Sequence, residues 1–320
     1  MKYNKCFLRK SPMPAHLAPI DFIIGGKVLI YSRLMTIVDF GDPYTRRLLS
    51  PSSDKGTILL SPDSYHNVGK ILSDVLSSRL KVTKLQSLLL KEAELEELFP
   101  IIGANGPYEQ LVKFWCSGTS CIVEVQGPDA NSALPSLVKR LRAKYASNDV
   151  EAALWSSERL GDFFFSGTRS FATTATLQDC SCGVIRPHAV KNGDFAAILD
   201  SILDAGFSVT ALQMFQLNKT SAGEFLEVYD GVMPNFADMV TELCTGPVIA
   251  LEVRAGQDGV VNKFREFVGP WDVEMAQELR PQTIRAKFGR NRTQNAIHCT
   301  DLPEDGVTES GYFFDILCSQ

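Results

Sequence analysis

Apolar positions recur at helical spacing in two widely separated places along the chain. Val68, Ile71, Leu72, Val75 and Leu76 predict one amphipathic helix, and Phe195, Ile198, Leu199, Ile202 and Leu203 predict another. Behind each helix the period changes to two. Leu80, Val82 and, after a one-residue slip, Leu85 alternate in the first place, and Phe207, Val209 and Leu212 in the second, so each predicts a strand with one face buried. Two more helical stretches follow, then a strand, Cys121-Ile122-Val123-Glu124-Val125 or Val248-Ile249-Ala250-Leu251-Glu252-Val253. The order strand–helix–strand–helix–helix–strand–helix predicts a split βαβ sandwich, an antiparallel sheet with helices over one face.

The two regions resemble each other residue by residue. Ile71-Leu72-Ser73-Asp74-Val75-Leu76 recurs as Ile198-Leu199-Asp200-Ser201-Ile202-Leu203, and Gln86 meets Gln213 at the same offset. Leu59-Leu60-Ser61-Pro62 answers Val184-Ile185-Arg186-Pro187, and Cys116-Ser117-Gly118 answers Cys244-Thr245-Gly246. After an insertion, Gly127-Pro128 meets Gly269-Pro270, and Leu141-Arg142-Ala143-Lys144-Tyr145 meets Ile284-Arg285-Ala286-Lys287-Phe288. Preserved order and near-constant spacing predict a duplication, with residues 55–166 and 178–320 as its copies. A Ser- and Thr-rich linker from Gly167 to Leu177 separates them. Ahead of both, residues 27–40 read as a hairpin between Gly25-Gly26 and Gly41-Asp42-Pro43. A segment of about fifty residues with one hairpin cannot bury a core of its own; it packs on the first copy or adds strands to a partner.

Composition narrows the class without naming the chemistry. A 320-residue chain with 45% hydrophobic and 22% charged residues reads as a folded protein of two ordinary domains, or two and a small appendage. Its net charge is −5 and its cations are scattered, which argues against a nucleic-acid partner. No run of 18 apolar residues is present, so no membrane span is expected, and no apolar run follows the N-terminal charges as in a secretory signal. The cysteines, including Cys6, form no CxxC pair, which suits free thiols in a reducing cytoplasm. Cys180 and Cys182 alternate as on one strand face, without further ligands for a metal.

Neither a Walker-type phosphate loop nor a GxGxxG is present. His16 and His66 lie in polar stretches and read as solvated; His188, after Pro187, reads as structural. His298 stands apart, in the loop-like run Asn295-Ala296-Ile297-His298-Cys299-Thr300-Asp301. That run resembles the Asn-x-x-His-Gly-Ser-Asp signature of the nucleoside diphosphate kinases. Two kinase-like copies behind Phe22-Ile23-Ile24-Gly25-Gly26-Lys27-Val28 and Phe40-Gly41-Asp42-Pro43-Tyr44-Thr45 look like the homologue-seven branch of that family. There the copies follow a DM-ten domain, partial here and placed at residues 1–52.

The resemblance implies an α+β fold of two tandem ferredoxin-like (βαββαβ) domains with a short N-terminal β-hairpin segment. It also implies a two-step phosphoryl transfer through histidine, with Mg²⁺ and ATP or GTP. On these terms His298 is the nucleophile and Glu309 orients its ring from the following helix. Arg265 and Arg285 clamp phosphates with bidentate forks, Tyr229 sits near the phosphate end, and Asn295 bonds the ribose hydroxyl. Phe236 lies near the base-stacking position, and the match is left open by one residue. Departures stand beside these matches. Arg186 replaces the family lysine, a flat guanidinium for a point charge. Pro270-Trp271 replaces the threonine expected after Gly269, and Cys299 the glycine after the histidine. The first copy has Ser61 at the lysine position, Ala152 at the asparagine and Trp155 at the histidine, and is expected to be inactive.

Two functions from different classes follow. One is a structural protein of the cytoskeleton, fixed on ciliary or flagellar doublet microtubules through tubulin and other axonemal proteins, with the second copy binding nucleotide at most. The other is an active nucleoside diphosphate kinase confined to the second copy. Nucleotide held only for stability is a third, weaker reading.

Overall fold

In the computed structural model, the slip in the alternation of both predicted strands is a β-bulge, at equivalent positions. The structure describes residues 12–14, 17, 21–22, 26–31, 33–42, 45, 53–104, 106–128, 130–145, 154–156, 158–167, 171–256 and 259–319. The chain divides into two compact units, residues 1–51 and 52–320. In the first, β1 (Lys27–Ile30) and β2 (Arg33–Thr36) pair antiparallel as the expected hairpin, with Tyr31 at a positive φ in its turn. The flanking Gly25 and Pro43, like Cys6 and His16, lie outside the described residues.

The second unit is built on one eight-stranded sheet. Its first half runs β3 (Ser53–Leu60), α1 (Val68–Ser77), β4 (Lys81–Leu88), α2 (Glu92–Ile102), α3 (Tyr108–Trp115), β5 (Ser120–Pro128), α4 (Ala130–Tyr145), β6 (Leu154–Ser156) and α5 (Glu158–Phe165). Its second half runs β7 (Ser181–Ile185), α6 (Pro187–Asn192), α7 (Asp194–Asp204), β8 (Ser208–Phe215), α8 (Lys219–Phe225), α9 (Phe236–Leu243) and β9 (Val248–Arg254). It ends with α10 (Val260–Val268), α11 (Val273–Leu279), α12 (Ile284–Phe288), β10 (Ile297–Cys299) and α13 (Gly306–Gly311). The strand order is β10-β7-β9-β8-β4-β5-β3-β6, and every neighbouring pair is antiparallel. Read outward from the centre, each half presents its second, third, first and fourth strands in turn.

The bulges sit between Val82 and Lys84 on β4 and between Val209 and Ala211 on β8. Each leaves a threonine unpaired in the ladder, and each threonine hydroxyl donates to a buried glutamate of the next strand. Thr83 Oγ1 lies 2.7 Å from Glu124 Oε1, and Thr210 Oγ1 lies 2.5 Å from Glu252 Oε1. The extra residue thereby gains a partner for its side chain, which is how a bulge is tolerated inside a sheet.

Helices cover both faces of the sheet, which corrects the expectation of one covered face. Ile58, Leu60, Val123, Val125, Leu251 and Val253 point to one side, against Ile71, Leu72, Val138, Ile198, Leu199 and Phe264. Their neighbours point to the other. Leu59 and Ile122 meet Leu95, Leu98 and Trp115, and Val184 and Ala250 meet Phe225, Met239 and Phe313. The strands β7 and β9 are buried on both faces along nearly their whole length. A strand buried on both faces reads as a continuous apolar run, so its alternation carries little signal.

The linker is docked as well. Thr174 Oγ1 lies 2.7 Å from Ser87 Oγ, and Glu252 accepts from the amides of Thr176 (2.7 Å) and Leu177 (2.8 Å).

Candidate active site

The site forms where the last strand of the second half meets the first. The run around His298 is an edge strand rather than the loop expected from the sequence: Ile297, His298 and Cys299 pair with Ile185, Val184 and Gly183. Ladder bonds orient the strand, and the turn before it is tight. Ala296 has a positive φ, a left-handed conformation costly for a residue with a Cβ, and its carbonyl accepts from Arg186 N at 2.9 Å. The backbone register also places the corresponding residue of the first half. Trp155 pairs with Leu59 as His298 pairs with Val184, and Leu59 and Val184 each stand three residues before a proline, Pro62 and Pro187. Ala152 lies outside the described residues.

The His298 ring is buried against the edges of Phe225 (5.0 Å between centroids) and Tyr229 (6.3 Å). Its Nε2 lies 2.9 Å from Glu309 Oε2. A carboxylate only accepts, so Nε2 carries the hydrogen and Nδ1 carries the lone pair. Nδ1 has no hydrogen-bond partner among the described residues. Glu309 projects from the short helix α13, as the resemblance implies, and Thr300 holds it in place. The Thr300 hydroxyl donates to Glu309 Oε2 at 2.9 Å and accepts from Cys182 N at 2.8 Å. The imidazole is thus fixed in one tautomer, its nucleophilic nitrogen directed away from the carboxylate.

The predicted cations gather around this ring in three different states. Arg265 is partly exposed; its Nη1 donates to the Asp301 carbonyl at 2.8 Å and its Nε lies 3.5 Å from Asp301 Oδ1. The same carboxylate accepts from Tyr229 Oη at 2.5 Å, and burial together with this anionic neighbour pushes the phenol far above its ordinary value. Arg285 is buried with each of its nitrogens engaged. Nε donates to Ile297 O at 3.1 Å, Nη1 to Gly269 O at 2.9 Å, and Nη2 to Cys299 Sγ at 3.7 Å. Burial lowers its pKa, and the nearby Arg186 lowers it further. Arg186 is wholly buried at the start of α6. Its Nη1 donates to Glu242 Oε2 at 3.2 Å, while Nε and Nη2 have no partner among the described residues. His188 completes that buried cluster, Nδ1 lying 3.3 Å from Glu242 Oε1, in keeping with a structural role. Asn295 is fully buried. Its Nδ2 donates to the Trp271 carbonyl at 3.4 Å, and its Oδ1 has no partner among the described residues.

All seven residues singled out from the sequence therefore meet in one place. What sequence reasoning missed is the supporting set: Phe225 against the ring, Thr300 on Glu309, Asp301 between Tyr229 and Arg265, and Glu242 between Arg186 and His188. Phe225 and Glu242 come from distant elements and carry no signal by type, whereas Thr300 and Asp301 stand in the signature-like run itself, whose match could have marked them.

A nucleoside diphosphate kinase family model matches residues 179–316. Nucleoside diphosphate kinase homolog 7 of Mus musculus is 37% identical over 338 residues, covering 99% of this chain and 85% of the relative. The chain belongs to the nucleoside diphosphate kinase homolog 7 family. The nucleoside diphosphate kinase of Aquifex aeolicus is 37% identical over 134 residues, 42% of this chain and 92% of that protein. A crystal structure of the Aquifex aeolicus enzyme covers 43% of this chain and 96% of its own, with 36% identity and a TM-score of 0.41. The C-terminal part of this homolog 7 family member thus has the nucleoside diphosphate kinase-like ferredoxin fold. Within the described residues no helix is long and apolar enough to cross a membrane.

Proposed function

We propose that residues 178–320 bind a nucleoside triphosphate and transfer its γ-phosphoryl group through His298. The observation that carries this reading is the state of the imidazole: Nε2 tied to Glu309 at 2.9 Å and a buried Nδ1 left without a partner. In the first step the Nδ1 lone pair forms a bond to the γ-phosphorus. The bond from that phosphorus to the bridging oxygen breaks, and its electron pair leaves on the nucleoside diphosphate. In the second, a terminal β-phosphate oxygen of another nucleoside diphosphate attacks the phosphorus and the N–P bond breaks. Glu309 stabilises the ring as it becomes cationic on phosphorylation. Arg186 Nε and Nη2, without a partner among the described residues, are donors of the type that phosphate oxygens accept from, and Asn295 Oδ1, likewise without one, suits a ribose hydroxyl.

The donor set fits phosphate. Among the described residues no group of three His, Cys, Asp or Glu side chains could hold a metal ion, so Mg²⁺ would be carried by the nucleotide's own phosphate oxygens. Its contribution when bound is to offset phosphate charge.

The test is to incubate the purified chain with γ-labelled ATP and Mg²⁺. Acid-labile, alkali-stable label that vanishes in His298→Ala supports the transfer; absence of label from the folded wild-type protein overturns it.

A second reading has its own support. In the first half Trp155, which cannot accept a phosphoryl group, pairs with Leu59 much as His298 pairs with Val184 in the second. We infer that residues 55–166 are an inactive copy of the same domain and serve as a scaffold, with residues 1–52 a partial DM-ten segment. Its sites of action are then ciliary or flagellar doublet microtubules, its partners tubulin and neighbouring axonemal proteins. Retention of the tagged protein on detergent-extracted axonemes at low salt supports this placement, and release at low salt refutes it.

A further inference from the structure

Helix α1 of the first half packs antiparallel on α7 of the second, and this contact reaches the helix that begins beside Arg186. Near its start α1 approaches α7 so closely that a Cβ on Gly69 would lie 2.5 Å from the Asp200 backbone nitrogen. Lys70 pairs with Asp204 at 3.1 Å and with Asp200 at 3.7 Å. Ile71, Leu72 and Val75 share one buried cluster with Ile198, Leu199 and Ile202. Near the other end of α1, Leu76 sits over Gly193, where a Cβ would meet Leu76 Cδ1 at 3.2 Å. Gly193 is the joint between α6 and α7. It ends the one and starts the other at a φ of 84°, the left-handed region that favours glycine.

We propose that Leu76 is a positioning residue for the second half: packed on Gly193, it fixes the lie of α6 and with it the Arg186 guanidinium. The half that carries Trp155 thereby takes part in the chemistry of the half that carries His298. This rests on the nucleotide reading of residues 178–320. Helix α6 has six residues, too few to be held by its own hydrogen bonds, so what packs on it decides where it lies. At its C-terminal end Leu76 covers the joint and Arg290 donates to Asn192 Oδ1 at 3.0 Å. At its N-terminal end Arg186 and His188 both turn to Glu242. Interiors are close-packed, so truncating Leu76 opens a gap into which the joint relaxes. A shift at one end of so short a helix is carried to the other. Leu76 acts through α6 and Arg186, without bonding the nucleotide itself.

In the full chain Leu76→Ala should weaken Mg²⁺–ADP binding, and slow labelling of His298 by γ-labelled ATP, about 3- to 30-fold. Leu98→Ala, an equal truncation in the first half but in the core on the other sheet face, is the control. It should lower the thermal midpoint and leave both readouts unchanged. Leu76→Met, which keeps the reach of the side chain, should restore both. A third readout needs no nucleotide. The chain has four histidines, and His188→Gln identifies the His188 imidazole resonance. That resonance should move in Leu76→Ala and stay in place in Leu98→Ala. Wild-type binding, labelling and His188 resonance in Leu76→Ala, or equal changes in Leu98→Ala, would overturn the proposal while leaving the nucleotide site intact. Failure of the folded wild-type chain to bind Mg²⁺–ADP would overturn the nucleotide reading and this inference with it.

Discussion

Gln86 and Gln213 face each other across the centre of the eight-stranded sheet, and they stand at matching offsets of the two similar stretches of sequence. The strand order reads the same outward on either side of this pair. Each half closes the inner sheet edge of the other, which leaves only three-residue strands, β6 and β10, on the outside. The pairing of two inner sheet edges is made here within one chain.

Ser87, next to that pair, accepts from Leu212 N at 2.8 Å and lies 2.7 Å from Thr174 Oγ1. Ser87→Ala leaves a buried amide without its acceptor, so about 1–3 kcal/mol of stability should be lost. Urea unfolding monitored by circular dichroism measures it.

Glu252 and Glu124 are equivalent under the bulges, yet they differ in what depends on them. Glu252 is fully buried and accepts from two backbone amides and two hydroxyls. Glu124 accepts from Thr83 and pairs with Lys55 and Lys84, whose ammonium groups reach water. Glu252→Ala should cost about 3 kcal/mol and free the linker to protease, whereas Glu124→Ala should cost about 1 kcal/mol. Equal losses in the two variants would show that the docked linker contributes nothing.

Glu309 acts through His298. Glu309→Ala removes the acceptor that fixes the ring, and phosphorylation of His298 should slow about 10- to 100-fold without loss of fold. Glu309→Gln, still an acceptor through its amide oxygen, should be the milder of the two. Single-turnover labelling with γ-labelled ATP separates this effect from weaker nucleotide binding.

Asp272 ties the Trp271 segment to residues 290–294 and carries a pH signature. The Arg292 guanidinium and the amide at the start of α11 hold its carboxyl below the usual carboxylate range. A depressed folded-state pKa contributes stability that is present above the unfolded value, about 3.9, and is lost as pH falls through the folded one. Asp272→Asn should therefore be less stable than wild type from pH 5 to 8, and the gap should narrow on acidification below about pH 4. Midpoints of urea unfolding across that range test it; a gap that widens in acid contradicts the assignment.

The sequence by itself determined a good deal here. The 3.6-residue and two-residue periods located the helices and strands, because burial of one face is a local property of spacing. The one-residue slip after Val82 announced the bulge, and the shared offset of Gln86 and Gln213 announced their equivalence. Tertiary structure decided what depends on groups far apart along the chain. The second covered sheet face was illegible, because β7 and β9, buried on both sides, show no alternation. The use of each cation was illegible too. Arg186 and Arg285 are the same residue type, yet one turns its donors to Gly269, Ile297 and Cys299 and the other keeps two without a partner among the described residues. Which of them can meet an anion is settled by where neighbouring carbonyls lie, and those positions exist only once the chain has folded.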